Sequence, residues 1–142
     1  MAGAVVIANL SASDETIGKA EYRRQLVSGQ SARLVCGYLY ADAGDGESTT
    51  DMVFAGHNLI AENGAVLTQS KLFHNGMIVS EIDVERLAGE RLKNTSFSAQ
   101  NQNGYVLVEF DSQPTLTQLT RPIDPAPFVP SDPCLLYTSR CV

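Results

Sequence analysis

Apolar residues in this 142-residue chain fall into short runs, separated by clusters of glycine, asparagine, aspartate and hydroxyl residues. The first run, AVVIANL (4–10), is continuous rather than alternating, which predicts a buried strand. It stops at Ser11-Ala12-Ser13, a strand end opening into a loop, where α/β folds commonly place ligand contacts. Residues 18–33 predict a helix. Ser28, Gly29, Ser31 and Ala32 are small enough for close packing on a sheet, and Tyr22, Leu26, Val27 and Leu34 would supply its larger apolar contacts. A second strand is predicted over 35–41, then a loop at 42–51 (DAGDGESTTD) with two glycines and several Asx and hydroxyl residues.

The next two runs, 52–61 and 65–73, flank Glu62-Asn63-Gly64. Asn-Gly between β-like runs is a strong hairpin signal, because both residues tolerate positive φ. A turn at His74-Asn75-Gly76 leads to a further predicted strand, 77–82. Asp83 can N-cap a short helix reaching Asn94, with Glu85 in its first turn and Arg91 and Lys93 in its last. The polar stretch 95–104 predicts irregular structure and YVLVEF (105–110) another strand. Strand, helix and strand followed by paired strands make a mixed α/β domain. All six prolines lie between residues 114 and 133, so 113–133 reads as an extended connector that can neither propagate a helix nor enter a sheet interior.

Composition narrows the function classes. A net charge of -6 and ten unclustered Lys and Arg residues argue against a nucleic-acid surface. No apolar run approaches the roughly 20 residues that span a bilayer, and the first ten residues lack the basic region and cleavage site of a signal peptide. A cytoplasmic location is expected. Cys36, Cys134 and Cys141 have neither a metal-ligand spacing nor an even disulfide count. Cys36 sits inside LVCGYLY (34–40), where a small buried hydrophobe is expected rather than a reactive thiol.

Two consecutive stretches, ANLSASDETIGKAEYRRQLVSGQSAR (8–33) and GYLYADAGDGESTTDMVFAGHNLIAENGAVL (37–67), closely resemble the amidase domain of the glutamine-dependent NAD synthetase family. That domain is part of the nitrilase (carbon–nitrogen hydrolase) superfamily, and the resemblance covers roughly residues 2–133. It implies a partial nitrilase-like α-β-β-α sandwich over 1–112 and, over 113–133, a linker towards a synthetase domain not contained in this chain. In the family a cysteine thiolate attacks the glutamine amide, a glutamate serves as base and acid, and a lysine stabilises the oxyanion. The released ammonia then amidates deamido-NAD in an ATP- and magnesium-using domain.

The family's nucleophile, in an Ile-Cys-Glu-Asp-like motif, lies one strand upstream of the ANLSAS strand, with the base and the lysine further upstream. The resemblance therefore implies a fragment without catalytic residues or cofactor sites of its own, inactive alone. Its implied partners are glutamine, the missing synthetase domain and further copies of the parent in a homo-oligomer. CLLYTSRCV (134–142) departs from the family and resembles translated sequencing adapter, so it is set aside as a read-through artefact.

By the same resemblance, Ser13 and Lys19 match positions that contact substrate glutamine, some relatives having arginine in place of Lys19. A cation suits the α-carboxylate, and a hydroxyl suits the amine or the carboxylate. On sequence alone Ser13 also reads as a turn serine and Lys19 as a solvated first-turn lysine. Arg23 and Arg24 are expected to pair with acidic neighbours at the helix surface or a subunit interface. His57 and His74 are expected at the surface or in turns. The segment Glu47–Asp51 resembles one near the family's active site and otherwise reads as a hydrogen-bonded loop. Two further readings fit these residues: a fragment of a stand-alone nitrilase-superfamily amidase, and a non-catalytic module that holds an amino acid.

Overall fold

A computed structural model of the chain describes residues 3–47, 50–94, 104–111, 118–123 and 129. Strand β1 (Val6–Ser11) leads through helix α1 (Lys19–Leu34) to β2 (Gly37–Asp42); β3 (Leu59–Glu62), β4 (Ala65–Gln69) and helix α2 (Val84–Lys93) follow. The four strands form one sheet in sequence order. β1 and β2 run parallel, Val6 opposite Gly37 through Ser11 opposite Asp42, as a strand–helix–strand crossover requires. β3 and β4 are antiparallel additions. The fold is mixed α/β, as the order of runs predicts.

Alternation along the strands decides what α1 covers. Tyr38 and Tyr40 of β2 lie opposite Ala61 and Leu59 of β3, and Val66 of β4 lies opposite Ala61. These residues pack with Val27 of α1 into the apolar core. The buried residues of α1 are Arg23, Val27 and Ser31, one stripe at four-residue spacing. The small-residue expectation holds at the Asn63-Gly64 turn. Ser28 Oγ donates to Gly64 O, and Ser31 Oγ accepts from Gly64 N at 3.3 Å while donating to Cys36 O at 2.7 Å. It fails for Gly29, which faces open space. Tyr22 and Leu26 are also exposed, because they lie beside the Arg23–Val27–Ser31 stripe and not on it.

The first strand differs from expectation. It alternates exposed and half-buried residues instead of being buried throughout, and Leu10 is 87% exposed. Ile7 and Asn9 lie in register with Tyr38 and Tyr40 on the face that α1 covers, so Val6, Ala8 and Leu10 lie on the other face, which no described residues bury. Residues 52–58 and 70–73 lie outside the hairpin strands, which are short. Neither 77–82 nor 105–110 forms a strand, and Tyr105–Phe110 is exposed throughout. An apolar β-type sequence becomes a strand only where a partner offers the other half of the ladder, and none is present there among the described residues. Ser48, Thr49, residues 95–103, most of 113–133, and 134–142 with Cys134 and Cys141 lie outside the described residues.

Two arginines tie the periphery to the sheet. Arg91 of α2 donates to Val35 O and Leu34 O, both at 2.9 Å, and to Ala4 O at 2.7 Å and Gly3 O at 3.2 Å. It thereby caps the carbonyl end of α1, where Val35 sits at φ 45, a left-handed conformation that β-branched residues resist. Arg121 grips both oxygens of the buried Glu62 carboxylate at 2.6 and 2.8 Å. Glu62 also accepts from Asp83 N, and Asp83 in turn N-caps α2 by accepting from Arg86 N at 2.9 Å, as predicted. Beside it, the Glu81 carboxylate accepts from the Thr120 hydroxyl and amide and from Arg121 N, and these bonds hold its pKa below the usual carboxylate range.

Candidate functional site

The parallel strands β1 and β2 end side by side, Ser11 opposite Asp42, and the chain leaves both in loops. The loop after β1 opens with Ala12-Ser13-Asp14-Glu15, and backbone bonds fix it. Glu15 N donates to Val53 O at 2.7 Å, and Asp14 and Phe54 form an isolated antiparallel bridge. Ser13 N donates to Asp42 Oδ1 at 2.9 Å, tying the end of β1 to the end of β2.

Lys19 opens α1 after Gly18, whose φ of 82 lets the chain turn into the helix without a side-chain cap. Its ammonium donates to Asp14 Oδ1 at 2.7 Å, and both side chains remain partly exposed. The bond to Lys19 lowers the pKa of Asp14, so the carboxylate is ionised at neutral pH. The predicted residues Ser13 and Lys19 thus lie at the same end of the sheet, each fixed by an aspartate. A cleft of 360 Å³ adjoins this end, lined by Gly44, Asp45, Gly46, Met52, Val53, Phe54 and Phe73. It shares Val53 and Phe54 with the loop contacts of Glu15 and Asp14.

Behind Ser13 lies an ion cluster. The guanidinium of Arg23 is 3% exposed. Its Nη1 donates to Glu15 Oε2 at 2.9 Å and contacts His57 Nδ1 at 3.1 Å. Its Nη2 donates to Ser13 Oγ at 3.4 Å and lies 3.5 Å from Asp42 Oδ2. Burial works against the arginine's charge, but Glu15 and Asp42 outweigh it and raise its basicity. Burial, reinforced by Arg23, depresses the basicity of His57. A neutral imidazole is also what the contact requires, since an arginine has no lone pair and Nδ1 must accept. Arg23 Nε and Asp42 Oδ2 are buried and have no hydrogen-bond partner among the described residues.

These positions correct two expectations. Arg23 is not at the helix surface but at the centre of this cluster, and His57 is buried rather than superficial. Arg24 does lie at the surface, 3.7 Å from Glu21, and His74 is exposed. Glu15, Asp42 and the buried role of Arg23 had no sequence assignment. The four-residue spacing Arg23, Val27, Ser31 was a usable signal, because it puts the arginine on the helix stripe that meets the sheet. Cys36 is fully buried, and burial raises its thiol above the ordinary value, as expected of a structural residue.

Fold and site together define a mixed α/β unit with polar, charged groups converging where two parallel strands end. In sequence the chain is similar to a segment of the glutamine-dependent NAD(+) synthetases. The relative from Mycobacterium bovis is 43% identical over 94% of this chain. The Mycobacterium tuberculosis relative matches equally, and that of Mycobacterium leprae is 42% identical. The chain spans 21% of the length of these relatives. A crystal structure of a glutamine-dependent NAD(+) synthetase from Cytophaga hutchinsonii is similar at a TM-score of 0.45 and 37% identity, over 47% of this chain and 11% of that one. No protein-family model matches. Among the described residues no helix is long and apolar enough to cross a membrane.

Proposed function

We propose that this chain is the glutamine-holding part of the nitrilase-like glutaminase domain of a glutamine-dependent NAD synthetase. The observation that supports it most is the 43% identity to such enzymes over 94% of the chain. In this reading Lys19 binds the α-carboxylate of glutamine and Ser13 supplies a second, neutral contact. The pairing of Lys19 with Asp14 leaves an acceptor beside the cation, suited to the α-ammonium of the same ligand.

The thiolate nucleophile, the general base and the oxyanion lysine are assigned to other parts of the longer enzyme. Cys36 is unsuited to the nucleophile's role: it is fully buried between α1 and β2, and burial raises its thiol above the ordinary value. The 142-residue chain alone is therefore expected to release no ammonia from glutamine. Ammonia formed in the full enzyme would amidate deamido-NAD at a synthetase domain reached through the proline-rich segment 113–133. ATP and magnesium are assigned to that domain. A cytoplasmic, oligomeric parent completes the proposal.

A chimera tests it: residues 2–133 replace the matching segment of the Mycobacterium tuberculosis relative, and NAD formation is followed with glutamine and with ammonia as nitrogen donor. Combined Ser13→Ala and Lys19→Met substitution should raise the glutamine KM at least about tenfold, the loss of one charge-assisted contact, and leave the ammonia reaction intact. An unchanged glutamine KM would remove both residues from the substrate site.

A further inference from the structure

Ser13 is held from two sides by groups that no substrate role has yet absorbed. Its amide donates to Asp42 Oδ1, and its hydroxyl oxygen accepts from Arg23 Nη2. A serine hydroxyl has one proton and two lone pairs, and a guanidinium has only protons to give. The contact with Arg23 therefore occupies a lone pair of Ser13 and leaves its proton for another acceptor, and among the described residues none takes it.

We propose that Arg23 is a positioning residue of this site: it fills the acceptor side of the Ser13 hydroxyl, so that Ser13 acts as a donor to the ligand's carboxylate. The inference rests on the reading of Ser13 and Lys19 as glutamine contacts and deepens it. It fixes which polar group of the amino acid Ser13 meets. With Ser13 and Lys19 both donating, the two converge on one carboxylate, and the ammonium is left to Asp14.

Arg23 can do this only while its own position is fixed. Its other arm, Nη1, is shared between Glu15 Oε2 and His57 Nδ1. The charged and titratable groups facing His57 are Arg23 from α1, Glu15 from the loop after β1, and Asp42 from the end of β2. Protonation of Nδ1 would replace an acceptor by a donor and set two cations 3.1 Å apart. The guanidinium must then move, and its Nη2 contacts with Ser13 and Asp42 move with it. Ser13 is thus coupled to the protonation of a histidine with which it has no direct bond.

The test is an NMR pH titration of the 142-residue chain, observing the His57 ring nitrogens and the Ser13 amide. The expected result is a His57 with its proton on Nε2 at neutral pH, a midpoint below the ordinary value of 6.5, and a Ser13 amide shift with the same midpoint. In His57→Gln the amide oxygen accepts from Arg23 without titrating, so the Ser13 step should vanish. In Arg23→Lys the charge is kept but the second arm is lost, and Ser13 amide exchange should quicken about tenfold. If Arg23→Lys does not fold, the His57→Gln comparison decides alone. A Ser13 amide indifferent to His57 protonation overturns the inference.

A second titration, with L-glutamine and with 4-aminobutanamide, which lacks the carboxylate, separates the two levels. Loss of glutamine-induced shifts at Ser13 as His57 protonates, with no such pH response for the decarboxylated analogue, supports both. Coupling of Ser13 to His57 without any glutamine-induced shift would overturn the substrate reading of Ser13 and with it the donor role. Equal responses to the two ligands would overturn the donor role alone.

Discussion

Arg23 and Cys36 illustrate how one side chain's surroundings decide its chemistry. Arginine is rarely buried without partners, and Arg23 is buried because Glu15 and Asp42 arrive from two other elements to offset its desolvation. Neither carboxylate is near it in sequence as a recognisable pair, so its role was not legible there beyond the helix stripe. Cys36 was legible, because LVCGYLY is an apolar run with no basic residue of its own to ionise the thiol. Its thiol is expected to resist iodoacetamide in the folded chain and to react only on denaturation, as mass spectrometry of the labelled protein would report. The sign of its pH effect follows from its raised folded value. The stabilisation it contributes is present below the ordinary thiol value of 9.0 and is lost as the pH rises through the folded value. Rapid labelling of native protein at neutral pH would contradict this.

At the level of elements, the Asn63-Gly64 hairpin and the Asp83 cap were legible because each depends on local geometry. Asn63 and Gly64 adopt φ 45 and 90, the positive angles the turn demands. What the sequence could not show is that α1 rests on this turn. A Cβ added at Gly64 would lie 3.0 Å from Ala32 Cβ, whereas one added at Gly29 would meet nothing within 4 Å. Gly64→Ala is therefore expected to destabilise the chain by roughly 1–3 kcal/mol, from backbone strain and the displaced helix. Gly29→Ala, in the same helix contact by sequence but not in space, should stabilise it by about 0.5–1 kcal/mol through helix propensity. Urea unfolding of the two variants checks the pair, and equal effects would refute the docking geometry.

Over the whole molecule, side chains rather than strands close the structure. Arg91 joins α2 to the end of α1 and to the segment before β1, more than fifty residues away in sequence, through four carbonyl oxygens. Removing it as Arg91→Met leaves carbonyls without that donor and frees the strained Val35 cap. A loss of at least about 2 kcal/mol is expected, with hydrogen exchange rising first at Cys36 and Gly37, which follow the cap. A variant as stable as the parent would assign that junction to apolar packing, through Leu87, instead. The same long-range logic explains why Tyr105–Phe110, apolar enough for a strand, forms none: its exposure reflects the lack of a partner among the described residues, not a poor sequence.

The sequence by itself determined the local elements: the first helix, the hairpin turn, the Asp83 cap and the end of the first strand before Ser13. Each of these rests on backbone propensity and on neighbours within a few residues. Only the tertiary structure decided which face of β1 α1 covers, that Arg23 and His57 are buried, and that Glu15 and Asp42 meet behind Ser13. Burial and charge pairing depend on which distant segments share a volume, and local patterning leaves that choice open.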